Sequence, residues 1–153
     1  MATRNSLAAR ISIPKSSTIQ HMHDAHSIAL GILALAARAL LALIFLVMGG
    51  RHLVHRSRVA ANMAAHGMPF ARALIVCTIL IEIVGGALLL IGFGARWSAA
   101  ALALFTIAAT IVFYRNIADG EQLVHLLKNL AIVGGLLMAA CYGPGLISLD
   151  GGN

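Results

Sequence analysis

The stretch 71–93, ARALIVCTILIEIVGGALLLIGF, decides the fold. Its 23 residues carry one base at the edge, Arg72, and one acid at the centre, Glu82. The rest is apolar or small, and it lacks the polar–apolar alternation that a membrane strand requires. A helix needs about 20 residues to cross the ~30 Å hydrocarbon layer of a bilayer. The stretch therefore reads as a membrane-spanning helix. Outward from it the pattern repeats: Ile28 to Gly50, containing Arg38, then Trp97 to Tyr114, and Gln122 to Tyr142, each 18 to 23 residues long. Gly and Pro punctuate the boundaries at Gly67-Met68-Pro69, Gly92-Phe93-Gly94 and Gly143-Pro144-Gly145. The expected fold is an all-α membrane protein, a bundle of four transmembrane helices.

Composition agrees with this. The 153 residues are 60% hydrophobic and 10% charged, whereas a soluble domain carries about a quarter charged residues. A soluble enzyme, a disordered chain and a disulfide scaffold are excluded on that ground. The net charge of +6, from 11 Lys and Arg against 5 Asp and Glu, sits at the ends of apolar segments, where membrane proteins keep it. With only 5% aromatic residues for base stacking, nucleic acid is set aside as a partner.

The expected domain organisation is a flexible tail over 1–27, a transmembrane domain over 28–150 and a short C-terminal tail over 151–153. The first tail has charge but no apolar core of a signal peptide, so the first span is expected to act as its own insertion signal. The second and third spans are joined by a Gly-rich turn, as a tight hairpin. The loop over 51–70 is long, and Leu53 to Ala65 within it reads as helical. Arg51, His55 and Arg58 would share one face of that helix, which would lie along the lipid headgroups or simply carry flanking charges. Arg51, Arg56, Arg58, Arg72 and Arg115 border the membrane on the long-loop side, against Arg96 and Lys15 on the other, with Arg10 at the limit of counting. The positive-inside rule then places the loop in the cytoplasm and both termini outside, although the tail's own positive charges oppose its translocation.

Charge inside a bilayer costs about 2.5–3.5 kcal/mol on insertion scales, so intramembrane charges pair or face a cavity. Arg38 and Glu82 lie near the centres of their apolar stretches, and their similar depth makes them the first expected pair. Lys128, a turn or two inside the fourth span, either snorkels to the long-loop surface or reaches inward. Asn129 beside it is placed to hydrogen-bond between helices. One reading makes Arg38, Glu82, Lys128 and Asn129 a polar clasp that fixes packing. The other makes Glu82 a protonatable group lining a pocket for a quinone, a lipid headgroup or a small substrate. Gly85, Gly86, Gly134 and Gly135 read as helix-packing residues, along which the second and fourth spans are expected to meet.

His21, His23 and His26 form a weak candidate metal group, since imidazole suits zinc and copper; no other metal site is expected. His52, His55 and His125 fall toward the long-loop side, an arrangement that argues against axial haem ligation across the bundle. Cys77 and Cys141 stand about 20 Å apart along the membrane normal, too far for a disulfide. Phosphate loops, zinc-protease helices and nucleophile elbows are missing from the sequence.

Taken in order, several of these features resemble the DoxX family of small four-helix bacterial inner-membrane proteins. They are Ala37-Arg38 with Ile44-Phe45 and Gly49, Gly67-Met68-Pro69, Ile81-Glu82 with Gly85-Gly86, and Gly92-Phe93. Lys128-Asn129-Leu130 with Gly134-Gly135 follows, then Gly143-Pro144-Gly145 and Ser148-Leu149-Asp150. The resemblance adds Asp150 to the polar positions. Two supporting candidates depart from the family pattern: His52 stands where relatives often carry Lys, and Tyr114 where they often carry His. What the resemblance implies is an accessory subunit of a redox membrane complex, linked to quinone or to oxidative stress, with any cofactor supplied by a partner. A small carrier or lipid-binding protein, and a structural assembly factor without ligand, are the alternatives.

Overall fold

The computed structural model describes residues 16–114, 118–145 and 147–149. Among them there are five helices and no strand: α1 Ser16–Val54, α2 Arg56–Ala65, α3 Ala71–Ile91, α4 Ala95–Phe113 and α5 Gly120–Tyr142. Four of these, α1, α3, α4 and α5, are long and apolar enough to cross a membrane. At ~1.5 Å per residue, the 21 residues of α3 reach ~31 Å, one hydrocarbon thickness. The protein is therefore embedded in a lipid bilayer.

Local chemistry sets the helix ends. Phe70, just after Pro69, takes a left-handed φ of 56° and turns the chain into α3. Gly92 (φ 74°) and Gly94 (φ 54°) both adopt left-handed backbone, which a residue with a Cβ enters only with strain. Together they reverse the chain between α3 and α4 in three residues, the tight hairpin expected from the sequence. At the start of α5, the Asp119 carboxylate accepts the Glu121 N–H at 3.0 Å, satisfying a first-turn donor that the helix leaves open.

Each spanning helix buries one narrow stripe and gives the rest of its apolar surface to lipid. On α3 the stripe is Ile75, Ile79, Glu82, Gly86 and Leu89, in the alternating three- and four-residue steps of a helix face. On α1 it is Arg38, Ala42, Phe45 and Gly49. Exposed Leu43, Val47, Leu80, Leu104, Ile111 and Leu130 cover the outside. In cross-section α1 adjoins α3, α3 adjoins α4 and α4 adjoins α5, with a slighter contact from α5 back to α1. The centre is an apolar cluster drawn from all four helices: Ala42, Phe45, Leu89, Ala99, Leu102, Ala103 and Leu136.

Residues 16–27 form the first turns of α1, exposed at 19–26, while residues 1–15 and 150–153 lie outside the described residues. Two expectations are corrected. α3 and α5 sit diagonally and share no close approach, so they do not meet along glycines. Gly85 faces Leu102 of α4, Gly86 faces Phe45 and Leu46 of α1, Gly135 faces Leu41 of α1, and Gly134 faces open space. Lastly, α1 continues to Val54 and α2 begins only at Arg56, so the break at His55 puts Arg51 and Arg58 on different helices. α2 also has a buried side. Met63 is 5% exposed and packs with Ile75 and Ile79 of α3, flanked by Val59 and Ala60.

Candidate functional site

Depth in the bundle separates the charges that the sequence placed together. Gly49 of α1 lies against Glu82 and Ile83 of α3, whereas Arg38 lies against Gly92 at the end of α3. Ten residues of α3 separate those two levels, about 15 Å along the helix. Arg38 and Glu82 therefore do not pair. The reason is register: α1 is longer than a span, and its early turns run past the α3–α4 hairpin, so the centre of its apolar run is not the centre of the bundle.

Arg38 is 3% exposed and locks the C-terminal segment in place. Its Nη1 donates to the carbonyl of Pro144, and its Nη2 donates to the carbonyl of Ile147 at 2.9 Å. Pro144 follows the end of α5, so the guanidinium ties α1 to the chain that leaves α5. The same segment returns to α3 where the Leu149 N–H meets the Ile91 carbonyl at 3.4 Å. Asp150 lies outside the described residues.

Glu82, 5% exposed, has a different partner. Its Oε2 stands 2.6 Å from Nδ1 of His52 in the last turn of α1. His52 remains 28% exposed at its side chain, so the pair is sealed at the carboxylate and open at the imidazole. The contact depends on close helices. A Cβ on Gly49 would fall 2.7 Å from Ile83 Cγ1 and 3.1 Å from Glu82 Cβ, so only glycine lets α1 approach α3 this closely.

Lys128 joins neither group, being exposed on α5, a helix whose backbone does not come close to α3. Asn129 reaches α4 instead: its Nδ2 donates to Thr110 Oγ1 at 2.9 Å. Thr110 and Thr106 in turn donate to carbonyls one turn back, Thr106 O and Leu102 O, each at 2.7 Å. One turn toward the long loop, Tyr114 stacks on His125 with centroids 5.1 Å apart and planes at 16°. A polar seam thus joins α4 to α5 in the long-loop half. His21, His23 and His26 are exposed on α1, where helical steps of two and three residues fan them around the axis. Among the described residues no three His, Cys, Asp or Glu side chains gather as a metal site. Cys77 and Cys141 are free and exposed.

Two features escaped the sequence reading. His52 was only a supporting candidate, although it follows Gly49 by three residues and so extends the stripe Arg38, Ala42, Phe45, Gly49. Thr106 and Thr110, single hydroxyls in an apolar run, gave a weaker signal. A shallow apolar groove also lies on the outer side of the α3–α4 hairpin, lined by Leu80, Val84, Leu88, Phe93 and Trp97 among others. Glu82 is not part of it.

Fold and site together define a polytopic membrane protein of four spans with a glutamate–histidine pair between two of them, buried at the carboxylate. The chain belongs to the DoxX family, whose model matches residues 33–115. It is 34% identical over 116 residues to inner membrane protein YqjF of Escherichia coli (strain K12), covering 76% of this chain and 88% of that protein. It is 27% identical over 124 residues to inner membrane protein YphA of the same organism, covering 78% and 89% respectively. No solved structure matches the chain.

Proposed function

We propose that the chain is an accessory inner-membrane subunit of a quinone-linked redox complex, in which the His52–Glu82 pair handles protons and a partner handles electrons. The observation that carries this reading is the identity of the partner of Glu82. A clasp is most simply built with Lys or Arg, whose charge is permanent at neutral pH. Imidazole gains and loses its proton in the physiological range, and an intramembrane carboxylate that pairs with it can be charged or neutral. Reducing a quinone takes two electrons and two protons. The pair can supply protons. Cys77 and Cys141, free and exposed at different depths on diagonal helices, form no dithiol couple for the electrons. The charge bias of exposed Arg51, Arg56, Arg58 and Arg72 supports a cytoplasmic position for the long loop. The alternative of a lipid-binding protein is favoured by the apolar groove on the α3–α4 hairpin.

The test compares a deletion strain carrying wild-type protein with the same strain carrying Glu82→Gln at equal membrane abundance. The quinol-to-quinone ratio of extracted membranes is the readout. Loss of a proton-transfer group costs about 10²–10⁴-fold in rate, so the variant is expected to match the deletion. A wild-type ratio in the variant, or a deletion that leaves the ratio unchanged, rejects the proposal. Copurified partners and lipids, identified by mass spectrometry, separate the redox reading from the lipid-binding one.

A further inference from the structure

We infer that Glu82 exchanges protons with one side of the membrane only, the side of the 51–70 loop, and that His52 is the relay. The inference rests on the proton-handling reading above and gives it a direction.

The two halves of the bundle differ in what lies between Glu82 and water. Toward the termini, the next two to three turns are filled by Ala42, Phe45, Leu89, Ala99, Leu102, Ala103 and Leu136, each at most 5% exposed. These seven side chains come from all four spans, so they close the whole cross-section. The plug is drawn tight by glycine: a Cβ on Gly86 would sit 3.3 Å from Phe45 Cβ, and one on Gly85 would sit 3.0 Å from Leu102 Cδ2. These apolar side chains offer no polar group to hold a water, and the buried Ser98 hydroxyl beside Ala99 is spent on the Ala95 carbonyl at 3.1 Å. Beyond it stands Arg38, whose positive charge repels an arriving proton.

Toward the long loop, the first group Glu82 meets is His52, bonded on one side and partly exposed on the other. The two ring nitrogens divide the task. With Nδ1–H donating to the carboxylate, a proton taken up at Nε2 allows the Nδ1 proton to pass to Oε2. Glu82 ends as the neutral acid, His52 ends neutral with its proton on Nε2, and the pair has gained one proton. Reversal returns that proton to the same side. Other titratable or charged groups on the elements around the pair are exposed or engaged elsewhere: Arg56 and Arg58 are exposed on α2, His66 at its end bonds the Asn62 carbonyl, and Cys77 is exposed on α3. Arg51 and His55 are exposed at the end of α1 and at its junction with α2, Arg72 is exposed in the first turn of α3, and Lys128 is exposed on α5. Tyr114 and His125 are occupied with each other.

The test uses the wild-type protein in phosphatidylcholine–phosphatidylglycerol vesicles with the internal and external pH set separately. Dicyclohexylcarbodiimide dissolves in the bilayer and adds to protonated carboxyls, and peptide mass spectrometry reads its adduct on Glu82; Glu82→Gln gives the background. The long-loop side is identified by an impermeant maleimide on Ser57→Cys in a Cys77→Ser/Cys141→Ser background. Lowering the pH on that side from about 8 to about 6, the range in which imidazole changes charge, is expected to raise labelling several-fold. Lowering it on the terminus side is expected to leave labelling unchanged. Labelling that follows the terminus side, both sides or neither overturns the inference. The quinol ratio of Glu82→Gln strains judges the underlying reading separately.

Discussion

At the scale of single residues, the decisive choice is histidine at position 52. A Lys there would carry a permanent charge at neutral pH, which an imidazole does not, and the proposed proton-handling role turns on that difference. His52→Lys separates the two uses: it is expected to keep thermal stability in detergent near wild type and to fail in the quinol-ratio assay. If His52→Lys keeps full activity, the pair is a clasp. His52→Ala leaves a buried carboxylate alone, and breaking a buried pair costs up to about 3–5 kcal/mol while the charge persists. His52→Ala/Glu82→Gln is therefore expected to be more stable than His52→Ala, with the coupling read from a double-mutant cycle of melting temperatures. Arg38 belongs to a different prediction. Hydrogen bonds from a charged donor are worth about 1.5–3 kcal/mol each, and Arg38→Ala loses those to Pro144 and Ile147. Faster amide hydrogen exchange at Ile147–Leu149 in that variant, with no change at the His52–Glu82 level, is the expected result.

At the scale of the element, glycines along the helices have unequal roles that the sequence does not rank. Gly49 lies where a Cβ would collide with Ile83, a β-branched side chain that cannot swing aside, while Gly134 meets nothing within 4 Å. Overpacking of this kind costs about 1–3 kcal/mol. Gly49→Ala is thus expected to lower the melting temperature and weaken the His52–Glu82 contact, and Ile83→Ala to restore part of the loss. Gly134→Ala is expected to be neutral or slightly stabilising, since alanine is the better helix former. Equal effects of the two substitutions contradict the packing described for α1 and α3. The existence of the spanning helices was readable because apolar runs of bilayer length have few other uses. The break at His55 was not readable, because backbone hydrogen bonds from His55 N to Arg51 O and from Val59 N to His55 O continue helix-like turns through it.

At the scale of the whole molecule, the order of helices around the bundle decides which polar groups meet. Leu41 of α1 touches the position of Gly135 on α5, with a Cβ there 3.2 Å from Leu41 Cδ2, whereas α3 and α5 are diagonal. In a background without native cysteines, Leu41→Cys with Gly135→Cys is expected to cross-link with a short bifunctional reagent. Gly86→Cys with Gly135→Cys is expected not to. The reverse outcome puts α3 beside α5. The membrane, the four spans and the hairpin at Gly92–Gly94 were legible in the residues because each follows from local composition and chain length, and the family was legible in the ordered motifs from Ala37-Arg38 to Ser148-Leu149-Asp150. The sequence also singled out Arg38 and Glu82 as costly residues. That they serve separately, Arg38 on the carbonyls of Pro144 and Ile147 and Glu82 on His52, comes from the packing of the helices. Which depth on one helix faces which depth on another depends on axial register, and register is set by close contacts such as Gly49 on Ile83. An apolar run fixes that a helix crosses the bilayer; it leaves its offset along the neighbouring helix to the packing.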